Sequence, residues 1–220
     1  MDWNELYEKE LFRADNCYLK CDSYCCNNFF GKYYNFLDKD SVVLPLIDEE
    51  YEIYKKRGGI ENIKEKKYEL NIGEKKFTFF LLYCKEKGLC KPHTNRPFIC
   101  RTYPFLPKVN EFGEIVGFNY ASLFDIFFNK ENHNCPLVED KKIYNEWKQN
   151  LPKFSPKMIF ALMLLDALIE ELKKLDLNFS ESIKQSVNKL ELILLSGKIY
   201  KKIDVIEIYE KVKKVYGEFL

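Results

Sequence analysis

Eight cysteines, all placed before residue 136 of a 220-residue chain, constrain this sequence more than any other feature. They fall in two blocks. The first, NCYLKCDSYCCNN, holds Cys17, Cys21, Cys25 and Cys26. The second is spread over Cys84, Cys90, Cys100 and Cys135. If the first block is helical, Cys17, Cys21 and Cys25 recur at i, i+4 and i+8 and share one face, from which three thiols can converge on one ion or cluster. Cys25 and Cys26 point in different directions in any regular element, so their jobs should differ. Buried cysteine also serves as plain core filling. The Asn, Asp, Lys and Ser that separate the first four thiols argue against that use.

How clustered thiols are read depends on compartment. The N-terminus, MDWNELYEKELF, has neither a basic start nor an apolar signal-like core. The most apolar run, Ile159 to Ile169, contains Asp166 and falls short of the ~20 residues a membrane span needs. A cytoplasmic protein with no membrane partner is expected. In a reducing cytosol, grouped thiols more often bind metal or catalyse than form disulfides, hyperthermophile proteins being the exception. High Lys and Glu with only two Gln is a hint of such a source. A net charge of +1, with Lys pairs set among Glu and Ile, points to solvated helix faces and gives no reason to expect a nucleic-acid partner.

Soft thiolates favour zinc or iron–sulfur over magnesium or calcium. Eight of them suffice for two four-sulfur sites, or for one cluster with thiols left over for redox work. None of the spacings is the C-x2-C of an ordinary zinc finger or ribbon. Cys135-Pro136 resembles the Cys-Pro step that closes a bacterial ferredoxin run. Both histidines lie near cysteines, and His93 or His133 can complete a zinc site through imidazole or simply be solvated. Arg96 and Arg101 flank Cys100. Their guanidinium N–H groups can donate to metal-bound sulfur from behind, or tie loop carbonyls together. Pro97, Pro104 and Pro107 stiffen that loop.

Local patterns predict an α+β fold. A small irregular cysteine-rich part with a few antiparallel strands occupies residues 1–137, packed with a helical half at 138–220 that can share the same core. Asp2 and Glu5 read as a capping box, and Asp48 as the cap of a second helix ended by Gly58-Gly59. Tyr68, Leu70 and Ile72 alternate with polar residues before a Gly73-Glu74 turn, and the strand-like run Phe77 to Tyr83 then delivers Cys84. Glu114 to Tyr120 reads as a further strand. Four helices are expected after Pro136. One carries Ile143 and Trp147, one is capped by Ser155 with Pro156 at its first position, one follows Ser180, and one starts at Asp204.

The segment Cys90…Arg96-Pro97-x-x-Cys100-Arg101-x-Tyr103-Pro104-Phe105, with a CC-ending block upstream and a cysteine downstream, resembles the YkgJ-type cysteine-cluster family over residues 17–137. The first block is spaced more widely than that family's C-x2-C-x2-3-CC, and Pro92-His93 stands where the family often has Ile-Tyr. The resemblance implies a zinc- or iron-chelating domain with eight cysteines. The expected cofactor is an iron–sulfur cluster, in the first instance 4Fe-4S, or zinc. The family's similarity to flagellin lysine N-methylase implies an alternative, a cluster-dependent protein lysine N-methyltransferase with a protein substrate or partner. No G-x-G-x-G loop, P-loop, Ser-His-Asp or HExxH pattern accompanies it, so catalytic residues stay unassigned. A thiol redox switch is the remaining alternative, although a vicinal Cys25–Cys26 disulfide would be strained.

Overall fold

The structure, a computed structural model, describes residues 2–12, 19, 23–27, 41–121, 135–175, 189, 192–194 and 196–220. Cys17, Cys21 and His133 lie outside them. So does most of the helix expected after Ser180, of which 189 and 192–194 are helical.

Strands β1 (Val42–Ile47), β2 (Lys64–Ile72) and β3 (Lys75–Cys84) make an antiparallel sheet in the order β1-β3-β2. β2 and β3 are the expected hairpin, turning at Gly73 with φ 58° and pairing Ile72 with Lys75. The central strand is the apolar one, and the edges carry the features that keep edges from pairing further. β2 is rich in Lys and Glu. β1 contains Pro45, which has no N–H to donate and suits an edge position. A second sheet pairs β4 (Phe105–Val109) with β5 (Ile115–Tyr120). Pro107 therefore sits inside a short strand, opposite Phe118, and not in the expected loop.

The helices start where side chains can satisfy their first N–H groups. Asp2 accepts from the N–H of Asn4 and Glu5 at 3.0 and 3.1 Å and opens α1 (Trp3–Glu8). α2 is the single turn Tyr24–Asn27. α3 (Asp48–Lys56) corrects an expectation: β1 runs straight into it, Ile47 is the cap, and Asp48 is already helical. The Asp48 carboxylate holds Lys157 at 2.9 Å instead. α4 is Phe98–Thr102, and α5 (Lys141–Asn150) is capped by Asp140. Ser155 caps α6 (Pro156–Lys173) as expected, and Asp204 caps α7 (Val205–Tyr216). Asp166, the polar break in α6, accepts from Asn119 at 2.8 Å and pairs with Lys108 at 3.1 Å, tying β4 and β5 to that helix.

One core serves both halves. Phe77 of β3 meets Phe160 of α6 edge-on at 5.2 Å, and Phe105 of β4 meets Trp147 of α5 at 5.3 Å. The Trp147 Nε1–H donates to Thr102 at 2.6 Å, which fastens α5 to the cysteine-bearing α4. The compositional change near residue 137 is thus no boundary between cores, and the fold is α+β. Among the described residues no helix is long and apolar enough to cross a membrane.

Candidate thiol site

Three short segments present the described thiols of the site. In the first, a tight turn closes on the bond from Leu89 N–H to the Glu86 carbonyl at 2.8 Å. Its central residues, Lys87 and Gly88, have φ of 49° and 86°. Left-handed conformation at both central positions is the geometry that reverses a chain within two residues, and it folds Cys90 back against Cys84. Each thiol acts on the other, which drives Cys84 up and pulls Cys90 down to about 7, helped by the charge of Arg96. The second segment is α2, where the Cys25 and Cys26 sulfurs stand 3.7 Å apart. Their contact lowers Cys25, again with help from Arg96, and raises Cys26. In each pair one sulfur is therefore shifted toward thiolate by the thiol beside it.

The third segment is α4, which carries Cys100. Burial raises its thiol, the negative charges of Cys90 and Cys25 raise it further, and Arg96 opposes them. Cys25, Cys90 and Cys100, separated by up to 75 positions in the chain, thus lie within electrostatic reach of one another. Cys26 also feels Cys25, Cys90 and Cys100, and Cys84 feels Cys90 and Cys100. Cys135 heads the 3₁₀ turn Pro136–Glu139 and is buried in the hydrophobic core. Among the described residues no three His, Cys, Asp or Glu side chains close round one point tightly enough to hold an ion. His93 lies on its own 3₁₀ turn, where desolvation together with Arg96 lowers its pKa toward the neutral imidazole.

The two arginines beside Cys100 have different surroundings. Arg101 is 3% exposed and donates to four carbonyls: Arg96 at 2.8 Å, Lys9 at 3.2 Å, Tyr7 at 3.1 Å, and Thr94. Its guanidinium also lies 5.0 Å from the centre of the Tyr7 ring. This is the carbonyl-tying role. Arg96 meets the Glu10 carboxylate with one amino group, at 3.0 and 3.1 Å. Its Nε is buried and finds no acceptor among the described residues.

One residue of this neighbourhood had not been expected. Glu50 of α3 is buried and accepts from the Tyr7 hydroxyl at 3.1 Å and from the Phe98 N–H at 2.6 Å, the first residue of α4. Burial lifts its carboxyl to about 7 against the pull of those two donors and of Arg101. Glu50 thus fastens the N-terminus of the Cys100 helix to α1 and α3. Nothing in the local sequence DEEYEIY marks this acid as the inward-facing one.

No family model, no curated protein and no solved structure matches the chain.

Proposed function

We propose that this is a cytoplasmic metal-binding protein that holds an iron–sulfur cluster or zinc through its clustered cysteines. The observation that carries the reading is the meeting of Cys25, Cys90 and Cys100, from three separate segments, in one shared electrostatic environment. With Cys26 and Cys84 it gathers five described thiols, enough for the four ligands that either tetrahedral zinc or a four-cysteine cluster uses. Cys17, Cys21 and Cys135 complete the candidate set. The resemblance of the Arg96-to-Phe105 segment to the YkgJ-type family supports the same assignment. Bound metal requires thiolates, so loading the site would release protons from Cys26, Cys84 and Cys100, the thiols whose pKa values are raised.

Anaerobic purification with a visible spectrum and analysis for iron, acid-labile sulfide and zinc tests this. Brown protein with iron and sulfide marks a cluster, and colourless protein with stoichiometric zinc marks a zinc site. Folded, metal-free protein with eight titratable thiols would overturn both. The mutual influence of Cys84 and Cys90, brought together by the Glu86–Leu89 turn, favours one second reading, a thiol redox switch. In that case mild oxidation of metal-free protein would remove those two thiols together.

A further inference from the structure

The charges of the β1-β3-β2 sheet are sorted by face. β2 pairs Lys66 with Leu81 and Tyr68 with Phe79 of β3, so Lys64, Lys66, Tyr68 and Leu70 lie on one face. Glu65, Lys67 and Glu69 lie on the other, which α3 covers by stacking Tyr51 on Phe80 at 3.5 Å. On that covered face the charges are paired within the protein, Glu65 with Lys55 at 3.1 Å and Glu69 with Lys67 and Lys76 at 2.8 and 2.9 Å. The first face receives no acid from any of its three strands. One end of it is closed by the core, where Phe77 meets Phe160 of α6. At the other end Pro45, Lys64 and Lys66 are exposed and Tyr68 is 39% exposed.

The positive margin continues past the strand. Cys84 ends β3, and the turn that folds Cys90 back carries Lys85, Lys87 and Lys91, all exposed, with Leu89 61% exposed near its tip. The acids of the margin are Glu86, half-buried in the turn, and Glu61, whose N–H donates to the Lys91 carbonyl at 3.2 Å. Five lysines thus stand against two acids in a chain whose net charge is only +1. Keeping a sheet edge from pairing asks for charge of either sign on either face. It explains neither the sorting nor the continuation into the turn.

We propose that this lysine-lined margin, from Tyr68 along the sheet to Leu89, is a docking surface for the acidic face of a partner protein. Segregated ammonium groups on an otherwise weakly charged protein steer an oppositely charged partner into register and let it leave again. Leu89 and Tyr68 supply the apolar contact. The strand from Phe79 to Cys84 runs about 17 Å, a length that suits the small, transient class of interface. Nucleic acid fits less well. Bases need open rings to stack on, whereas Phe77 and Tyr83 are buried, Lys66 lies over Tyr83 at 5.4 Å, and Tyr68 stacks on Phe79 at 5.6 Å. The margin also carries no arginine, the residue best shaped for phosphate. Because the turn belongs to the thiol site, the partner supplies or receives what the thiols hold. That last step rests on the metal-binding reading, and the docking itself does not.

The test uses the full chain and, as probe, a fluorescein-labelled peptide of Asp-Glu-Leu repeats, which has the charge and apolar content the surface calls for. A carbodiimide joins lysine amines to carboxylates in direct contact. It should couple the peptide to Lys64, Lys66, Lys85, Lys87 and Lys91, read by mass spectrometry. Couplings spread evenly over the lysines of the chain, or no measurable binding, would overturn the proposal. In anisotropy titrations at low salt, the combined variant Lys64→Gln, Lys66→Gln, Lys85→Gln and Lys87→Gln should bind about tenfold more weakly than wild type. A control that removes the same charge from other exposed positions, Lys141→Gln, Lys142→Gln, Lys148→Gln and Lys201→Gln, should stay within about twofold. Leu89→Ser should weaken binding by about threefold at low and high salt alike. An equal loss in the control, or tighter binding of a uridine oligonucleotide or of phosphatidylserine vesicles than of the peptide, overturns it. If the combined variant does not fold, the coupling map on wild type decides. Repeating the titrations on metal-free protein separates the two readings: the same pattern there upholds the docking surface even where the protein never holds metal, an outcome that sinks the metal reading alone.

Discussion

Glu50 shows how a single buried acid can hold a site together and make it sensitive to pH. Its carboxyl is raised from an ordinary 4.5 to about 7 because burial penalises the charged form more than two hydrogen bonds and Arg101 compensate. The folded protein therefore binds this proton more tightly than the unfolded chain, and folding stability falls as pH rises from about 4.5 to about 7, then levels off. The contribution is on the order of 3 kcal/mol. Glu50→Gln keeps an oxygen for Tyr7 and Phe98 but cannot ionise, so it should flatten this slope. Urea unfolding of both proteins at about pH 5 and pH 8 checks it, since the variant should gain on wild type only at the higher pH. Parallel behaviour would show that Glu50 is already charged in the fold. Arg101 offers a second measurement. Lys cannot reproduce four divergent donations to fixed carbonyls, so Arg101→Lys should lower stability by about 3 kcal/mol or more, read as a fall in the urea midpoint. Neither role could be read from the local string: Glu50 looks like any first-turn acid in DEEYEIY, and Arg101 looks equivalent to Arg96. What separates them is the arrival of carbonyls and a phenol from α1, remote in sequence.

Elements announced by caps, turns and hydrophobic alternation were legible. Asp2, Ser155 with Pro156, and Asp204 marked helix starts because a side-chain oxygen beside free N–H groups is a local interaction. The β2–β3 hairpin was marked by alternation around Gly73. Strands β1 and β4 were not, because Pro45 and Pro107 argue against strand when taken alone and become acceptable only once the strand is known to lie at a sheet edge. Edge position is a property of the sheet and not of the segment. The β4–β5 turn illustrates the reverse dependence. Gly113 has φ 76°, and a Cβ there would stand 2.8 Å from the Ile159 terminal methyl on α6. Gly113→Ala thus meets backbone strain and a close contact together, and should cost about 1–3 kcal/mol. A lower urea midpoint with an unchanged slope would confirm a local packing cost, whereas a wild-type midpoint would mean that the turn moves freely off α6.

At the scale of the molecule, the cysteine-bearing part depends on the helical part for its interior. Trp147, Ile159, Phe160, Leu162 and Leu172 are each exposed by 1% or less, and they come from α5 and α6. Their partners Phe77 and Phe105 come from β3 and β4, the strands that lead into Cys84 and out of the Cys100 helix. Removing the helices would strip a large share of the apolar burial on which the sheets rely, and it would leave the Thr102 hydroxyl without the indole it accepts from. A chain ending at residue 137 keeps all eight cysteines but is expected to lose cooperative unfolding, to bind a hydrophobic dye, and to show its thiols alkylated at the rate of free cysteine. It should also fail to retain stoichiometric metal, because thiols from three segments converge only when the shared core holds those segments in place. Retention of both a cooperative transition and bound metal by that shortened chain would mean that the cysteine-bearing part folds alone and that the helices merely cover it.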